Sequence, residues 1–148
     1  MQPFPHHYQV QAAATAAGDV TLESGGLQAL PSAPPVEFGG PGDKWSPETL
    51  LVAAVADCFV LTFRAIAAAS AMTWTSLACD AVGTVERIER VTSFTEITVR
   101  ARLQIPDGAD EAKARRLLEK AEQSCLISNS LKATVHLLAE VQMARTAA

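Results

Sequence analysis

Two cysteines lie in sequence surroundings where a thiol could react. Cys58 lies inside the apolar, helix-forming stretch SPETLLVAAVADCFVLTFRAIAAAS, and Cys125 opens a short polar turn in AEQSCLISNSLKATV. Cys125 follows Ser124 at a predicted helix start, where backbone N–H groups and the helix dipole favour a thiolate. A single buried cysteine is usually only a small apolar residue, but two in such different settings indicate redox chemistry. We interpret the third, Cys79, as an ordinary strand residue.

Length, charge and cysteine number favour one soluble domain in a reducing compartment, the cytoplasm. The 148 residues suffice for a single core, and the net charge of −4 argues against a nucleic-acid surface. Three cysteines are a poor basis for a secreted disulfide framework, and the first ten residues do not form a signal peptide. Asp57 and Arg64 interrupt the only stretch that could span a membrane. No metal site is expected, because His6-His7 lacks the ligand spacing of a zinc site.

The order of predicted elements is typical of an α+β fold, with helices covering an antiparallel sheet. We expect one domain over residues 1–148, made of N-terminal strands with a Pro/Gly loop (1–45), a central helix (46–70), and strands with C-terminal helices (74–145). The hairpin turn before LQAL connects two of the first strands. The Pro/Gly composition of residues 31–43 forbids regular structure.

Short sequence motifs predict a helix cap, a bulge and the last elements of this fold. Ser46 reads as the N-cap of the central helix, with Pro47 at its first position. The alternation of the second long strand slips near Glu96, which predicts a β-bulge. The residues Asp110 to Gln123 predict an amphipathic helix, a short helical turn follows from Cys125, and LKATVHLLAEV reads as a last strand before a tail from Arg145.

The central helix is apolar nearly all round, so we expect it to be central and buried. One of its faces carries a regular series of mostly apolar residues: Leu50, Ala54, Cys58, Leu61 and Ala65. So small a chain can hardly cover such a helix from within, and the simplest remedy is a partner chain.

The segments GGPGDKWSPETLLVAAVADCF and AEQSCLISNSLKATV, together with the element order, resemble the OsmC/Ohr family of organic hydroperoxide reductases and stress proteins from about residue 8 to 142. The resemblance implies an OsmC-like fold, with a long central helix in an intertwined homodimer whose active sites lie at the dimer interface. It implies that Cys58 is the peroxidatic thiol, that Cys125 is the resolving thiol, and that Glu48 assists them. It implies no cofactor, and a dithiol reductant that is a lipoylated protein in some members.

One feature of that family is missing from this sequence. The hydroperoxide reductases carry an N-terminal Arg that touches the thiolate and pairs with the Glu matching Glu48. Here Lys44 is the only Lys or Arg in the first 63 residues, and Asp19 stands about where the cation is expected. Lys44, the N-terminal histidines or a basic residue of a second chain are the candidate replacements.

Two functions remain open on these grounds. The first is a thiol-dependent peroxidase that reduces organic hydroperoxides to alcohols through a Cys58 sulfenic acid and a Cys58–Cys125 disulfide. The alternative is a non-catalytic or weakly catalytic OsmC-like stress or binding protein with an apolar pocket, since the activating Arg is missing. In either case we expect the pocket to be lined by apolar side chains of the loop and the helix: Phe38, Trp45, Leu51, Val55 and Phe59.

Overall fold

A computed structural model of the chain describes residues 1–144, and the α+β class predicted from the sequence is confirmed. The described residues form two compact units, Met1–Leu51 and a second that starts at Val52. The boundary falls inside the long helix, so that helix begins in one unit and continues into the other. The single-domain organisation stays a prediction, and the tail predicted from Arg145 lies outside the described residues.

The first unit contains a three-stranded antiparallel sheet in the order β1-β2-β3. Its strands are Gln11–Ala13, Val20–Glu23 and Leu30–Ser32. The hairpin predicted between the last two is confirmed. The third strand starts later than the predicted LQAL, because the backbone N–H of Leu27 donates to the carbonyl of Ser24 at 3.0 Å and keeps the chain in a turn.

The Pro/Gly segment after β3 is more ordered than its composition predicts. Strand β3 includes Pro31 and Ser32, and a 3-10 turn spans Val36–Phe38, so the prediction that residues 31–43 hold no regular structure is wrong at both places. Gly39 closes the turn with φ of 80°, and its N–H donates to the carbonyl of Val36 at 3.0 Å. Glycine adopts this left-handed backbone without the steric cost of a side chain.

The long helix, α1, spans Pro47–Ala69, and its predicted N-cap is confirmed. The hydroxyl of Ser46 accepts from the N–H of Thr49 at 3.1 Å, and the N–H of Ser46 donates to the Thr49 hydroxyl at 2.9 Å. This reciprocal pair satisfies donors that a helix start leaves open.

The second unit contains a three-stranded sheet in the order β4-β5-β6. Strands β4 (Ser76–Ile88) and β5 (Val91–Ile105) form a long antiparallel hairpin, and the bulge predicted near Glu96 is confirmed where the register shifts after Thr84. Strand β6 (Thr134–Met143) runs parallel to β5. The sheet is therefore mixed rather than antiparallel throughout, because two helices intervene between β5 and β6 and allow a crossover connection.

Two helices connect β5 to β6, as predicted. Helix α2 spans Glu111–Ser124, and the carboxylate of its N-cap Asp110 accepts from the N–H of Lys113 at 2.8 Å. Cys125 caps the end of α2 and the start of α3, a single turn over Leu126–Asn129. This shared cap places the Cys125 side chain at the junction of the two helices.

The core of the second unit joins α1, β5 and α2, and α1 buries a single face in it. Its members are Val55, Phe59, Phe63, Ala67, Ile97, Val99, Ala101, Leu103, Ile105, Ala114, Leu117, Leu118 and Ala121. Leu61 and Ala65 on the opposite face are exposed in the single chain, so the burial of the whole helix, which was expected to need a partner chain, stays a prediction. By length and composition α1 could cross a membrane, but a core helix of a soluble protein passes the same test.

The C-terminus of α1 ends in a left-handed residue that is not glycine. Ala71 has φ of 48°, its N–H donates to the carbonyl of Ala68 at 3.1 Å, and the N–H of Met72 donates to that of Ala67 at 2.9 Å. These two bonds are the pattern of a Schellman cap. The ammonium of Lys113 also donates to the carbonyl of Ser70 at 2.8 Å.

We expect Ala71→Gly to raise the free energy of unfolding by about 0.5–1 kcal/mol, because glycine relieves the clash of Cβ in this conformation. Chemical denaturation of the purified protein measures the change. The matched control is Ala112→Gly, an exposed position in α2, where the same substitution should lower stability. Equal losses in both variants would contradict the prediction.

Candidate active site

The Cys58 thiol lies on α1 within hydrogen-bonding reach of the turn that starts α3. Its pKa responds to hydrogen bonding from the backbone of Ile127, the thiol of Cys125, the hydroxyl of Thr62 and the backbone of Leu126. The Cys58 Sγ to Thr62 Oγ1 distance is 3.8 Å. The structure therefore brings together the two cysteines that the sequence singled out, as free thiols on facing elements.

These donors make Cys58 the more acidic thiol of the pair. Burial alone raises the pKa of Cys58, but the N–H of Ile127, the thiol of Cys125, the hydroxyl of Thr62 and the N–H of Leu126 outweigh it, and the net pKa is lowered. Hydrogen bonds to the charged form of a group favour that form. The thiolate of Cys58 is thus supported by neutral donors of its own chain.

Cys125 behaves in the opposite way, and the prediction that the helix start favours its thiolate is wrong. Its side chain is fully buried, and burial raises its pKa despite hydrogen bonds from the side chain and backbone of Ser128. The bond to Cys58 raises it further, because Cys125 is the donor when Cys58 is charged. The first N–H groups of α3 serve Cys58 rather than the cysteine that caps them.

Cys79 lies on β4, and its thiol is much less acidic than that of an ordinary cysteine. Burial and the neighbouring charge of Asp80 raise its pKa to about 11, although Arg102 opposes them. Arg102 donates to the Asp80 carboxylate at 2.6 Å and is only partly available to a second anion. A thiol with this pKa carries almost no thiolate near neutral pH.

The thiols should therefore react in a fixed order with an alkylating agent, which attacks the thiolate. We expect iodoacetamide at pH 7 to label Cys58 first, and the pH at which its labelling rate is half-maximal should lie below that of a cysteine without these donors. Cys79 should label only as the pH approaches its pKa of about 11. Peptide mass spectrometry across a pH series measures both profiles, and equal labelling of Cys58 and Cys79 at pH 7 would refute this order.

The same pH series tests the hydroxyl contact. Thr62→Val removes a donor to the Cys58 thiolate, so the midpoint for Cys58 should move to higher pH. Thr73→Val, at an exposed position, is the matched control and should leave the midpoint unchanged.

The charged residues expected near the site lie in the first unit, where Lys44 has carboxylate partners. Its ammonium lies 3.3 Å from Asp43 Oδ1 and 3.7 Å from Asp19 Oδ2. The hydrogen bond with Asp43 and the charges of Asp19 and Asp43 raise the pKa of Lys44. Within residues 1–144, Glu48 Oε2 is a buried carboxylate oxygen without a hydrogen-bond partner. The roles predicted for Lys44 and Glu48 beside Cys58 stay predictions.

The residues expected to line a pocket have different environments. Phe38 and Trp45 are 60% and 48% exposed, and Leu51 is half-buried. Val55 and Phe59 belong to the buried core of the second unit. The common pocket stays a prediction.

Sequence reasoning missed Thr62 and the backbone donors of α3. Thr62 follows Cys58 by four residues on one helix, a spacing that brings side chains together and could have revealed it. The N–H groups of Leu126 and Ile127 could not be recognised from the sequence, because every residue except proline carries one.

The sequence matches the OsmC-like protein family over residues 40–139, a segment that includes both Cys58 and Cys125. The matched segment covers well over half of the chain. The protein therefore belongs to the OsmC-like family, as the two cysteine motifs indicated.

Similar proteins carry related names. The chain is 32% identical to the uncharacterized protein YmaD of Bacillus subtilis, with 83% of each chain covered. It is 28% identical to the peroxiredoxin OsmC of Escherichia coli, covering 81% of this chain and 82% of that one. It is 33% identical to an organic hydroperoxide resistance protein of Xanthomonas axonopodis pv. citri, covering 68% and 70%.

A solved structure confirms the fold. The OsmC-like protein VCA0330 of Vibrio cholerae superposes with a TM-score of 0.83, covering 92% of this chain and 100% of that one at 19% identity. The arrangement of two small sheets and three helices is thus an OsmC-like fold.

Proposed function

We propose that the protein is a thiol-dependent peroxidase that reduces organic hydroperoxides to alcohols, with Cys58 as the peroxidatic thiol and Cys125 as the resolving thiol. The observation that carries the proposal is the contact between the two, in which Cys58 has a lowered pKa and Cys125 a raised one. The attacking nucleophile must be a thiolate, whereas the resolving thiol keeps its proton, as a hydrogen-bond donor, until it attacks the sulfenic acid. The two environments match these two roles.

The reaction follows from this arrangement. The Cys58 thiolate attacks one peroxide oxygen, the O–O bond breaks, and the leaving alkoxide takes a proton to become the alcohol. Cys58 is then a sulfenic acid. The Cys125 sulfur displaces its hydroxyl, which leaves as water with the Cys125 proton, and a Cys58–Cys125 disulfide forms. An external dithiol reduces that disulfide by exchange, and a lipoylated protein has the required chemistry.

The names of two relatives, a peroxiredoxin and an organic hydroperoxide resistance protein, support this class of reaction and a role in antioxidant stress response. We propose a bulky apolar hydroperoxide rather than H₂O₂, since each Å² of apolar surface buried contributes about 25 cal/mol. The proposed lining is Phe38, Trp45, Leu51, Val55 and Phe59, and Glu48 is the proposed third catalytic group.

We further propose a cytoplasmic homodimer that does not act on membranes or nucleic acids. The apolar face of α1 that the single chain leaves uncovered supports the homodimer. The net charge of −4 supports the absence of a nucleic-acid surface. A second subunit would also supply groups that the first lacks, including a donor for the unpartnered oxygen of Glu48.

The decisive experiment follows the loss of free thiols in the reduced protein after addition of cumene hydroperoxide, tert-butyl hydroperoxide or H₂O₂. The proposal requires two thiols to disappear per chain and a Cys58–Cys125 peptide to appear in the mass spectrum. The organic peroxides should react faster than H₂O₂. Equal rates would contradict an apolar pocket, and no thiol loss with any of the three would contradict the enzyme.

That last outcome would favour the alternative, an OsmC-like binding or stress protein with little catalytic activity. The observation that favours this alternative is that Lys44, the only Lys or Arg in the first 63 residues, is engaged by Asp19 and Asp43. An activating cation would then have to come from elsewhere.

A further inference from the structure

The hydroxyl of Thr62 contacts the sulfur that is proposed to react. Thr62 follows Cys58 by four residues, close to one turn of α1, and its Oγ1 lies 3.8 Å from Cys58 Sγ. Within residues 1–144, Cys58 is the one hydrogen-bond partner of the Thr62 hydroxyl. When Cys58 is a thiolate its sulfur carries no proton, so the hydroxyl is then the donor.

Burial distinguishes Thr62 from the other side chain that interacts with Cys58. Cys125 is fully buried, whereas Cys58 and Thr62 are both half-buried on α1. A peroxide that approaches from solvent can therefore contact the Thr62 hydroxyl but not the Cys125 thiol. A hydroxyl within hydrogen-bonding reach of the reacting atoms can take part in the chemical step.

Negative charge moves during the peroxidase reaction. The Cys58 sulfur attacks the terminal oxygen of the hydroperoxide, an S–O bond forms, the O–O bond breaks, and the sulfur is oxidised by two electrons while an alkoxide leaves. The charge passes from the sulfur that Thr62 contacts to an oxygen two bonds away. A hydrogen bond that strengthens as this charge develops lowers the barrier, whereas one that is equally strong at the start does not.

We propose that Thr62 is a further catalytic residue, whose hydroxyl donates first to the Cys58 thiolate and then to the departing alkoxide oxygen of the peroxide. The inference rests on the peroxidase proposed above and adds a residue to its chemical step. Thr62 keeps its own proton, and the alkoxide takes a proton from water once the O–O bond has broken. Because the first 63 residues contain no Arg, a neutral donor on α1 supports the leaving group instead.

A comparison of two reagents separates this role from a change in the thiolate fraction. Peptide mass spectrometry of quenched samples follows the loss of the Cys58 thiol, at pH values high enough for each rate to reach its plateau. Cys58 is then fully ionised, so its pKa no longer affects the rate. Thr62→Val should react with tert-butyl hydroperoxide at least about tenfold more slowly than the wild type. Its rate with iodoacetamide should stay within a few-fold, because the departing iodide needs no hydrogen bond.

A second comparison varies the leaving group of the peroxide. Peracetic acid releases acetate, a far weaker base than an alkoxide, so its reaction depends little on a donor at the leaving oxygen. The ratio of the wild-type rate to the Thr62→Val rate should therefore be large for tert-butyl hydroperoxide and near one for peracetic acid. Thr62→Ser retains the hydroxyl and should restore the tert-butyl hydroperoxide rate to within a few-fold of the wild type.

The matched control is Thr98→Val, which removes a half-buried hydroxyl from β5 and should leave all three rates unchanged. Thr62→Ala replaces Thr62→Val if valine disturbs the helix, and circular dichroism reports the fold of each variant. Equal plateau rates of the wild type and Thr62→Val with tert-butyl hydroperoxide, or an equal loss with all three reagents, overturn the role of Thr62 and leave the peroxidase standing. A wild-type chain whose Cys58 reacts with iodoacetamide but with neither peroxide overturns the peroxidase and the role of Thr62 together.

Discussion

Replacing Cys58 with serine is expected to lower the rate of organic hydroperoxide reduction on the order of a thousandfold or more. The serine hydroxyl ionises far less readily than a thiol and forms no sulfenic acid, so the first chemical step has no nucleophile. The donors at this position, from Ile127, Leu126 and Thr62, remain in place in the variant. The consumption of cumene hydroperoxide with dithiothreitol as the reductant measures the effect.

The matched control for this variant is Cys79→Ser. Cys79 has a pKa raised to about 11, so its removal should leave the rate within a few-fold of the wild type. If Cys79→Ser abolished activity and Cys58→Ser did not, the assignment of the peroxidatic thiol would be wrong. Circular dichroism on both variants establishes that the fold is retained.

Replacing Cys125 with serine should separate the first turnover from all later ones. Cys58 keeps its backbone donors and should still reduce one equivalent of peroxide. No disulfide can form, so we expect Cys58 to accumulate as a sulfenic acid and then, with excess peroxide, as a sulfinic acid. With a dithiol such as dihydrolipoamide, steady-state turnover should fall by about a hundredfold, since reduction then depends on direct attack of the dithiol at the half-buried Cys58 sulfenic acid.

Intact mass spectrometry checks this prediction, because the two products carry one and then two added oxygen atoms. Quenched samples of the wild type should instead show the loss of two hydrogen atoms. A Cys125→Ser variant that turns over as fast as the wild type with the dithiol would mean that Cys125 does not resolve the sulfenic acid. The full burial of Cys125 makes a direct reaction of its own thiol with peroxide slow.

The features that were predictable from the sequence are those with a local cause. The N-cap at Ser46 and the bulge near Glu96 each depend on residues within a few positions of one another. The parallel direction of β6 was not predictable, because it depends on the path of the chain through α2 and α3. The incomplete cover of α1 by its own chain was expected, but which face that chain covers was not predictable, since a helix that is apolar all round does not show it.

The same distinction holds at the candidate site. Cys58 and Cys125 were found from residue type and motif, but their acidities were not. Cys125 was expected to be the activated thiol of a helix start, whereas the first N–H groups of α3 serve Cys58 and burial raises the pKa of Cys125. Which thiol a helix terminus favours depends on the tertiary fold rather than on the sequence beside it.

The backbone donors of Cys58 have a consequence for how such a site can change during evolution. An activating arginine is lost by a single substitution, but the N–H groups of Leu126 and Ile127 survive any substitution except one by proline. Neutral donors that touch the sulfur are also much less screened by salt than an exposed ion pair. The lowered pKa of Cys58 therefore depends on the position of the backbone, so it can be retained in evolution while the neighbouring side chains change.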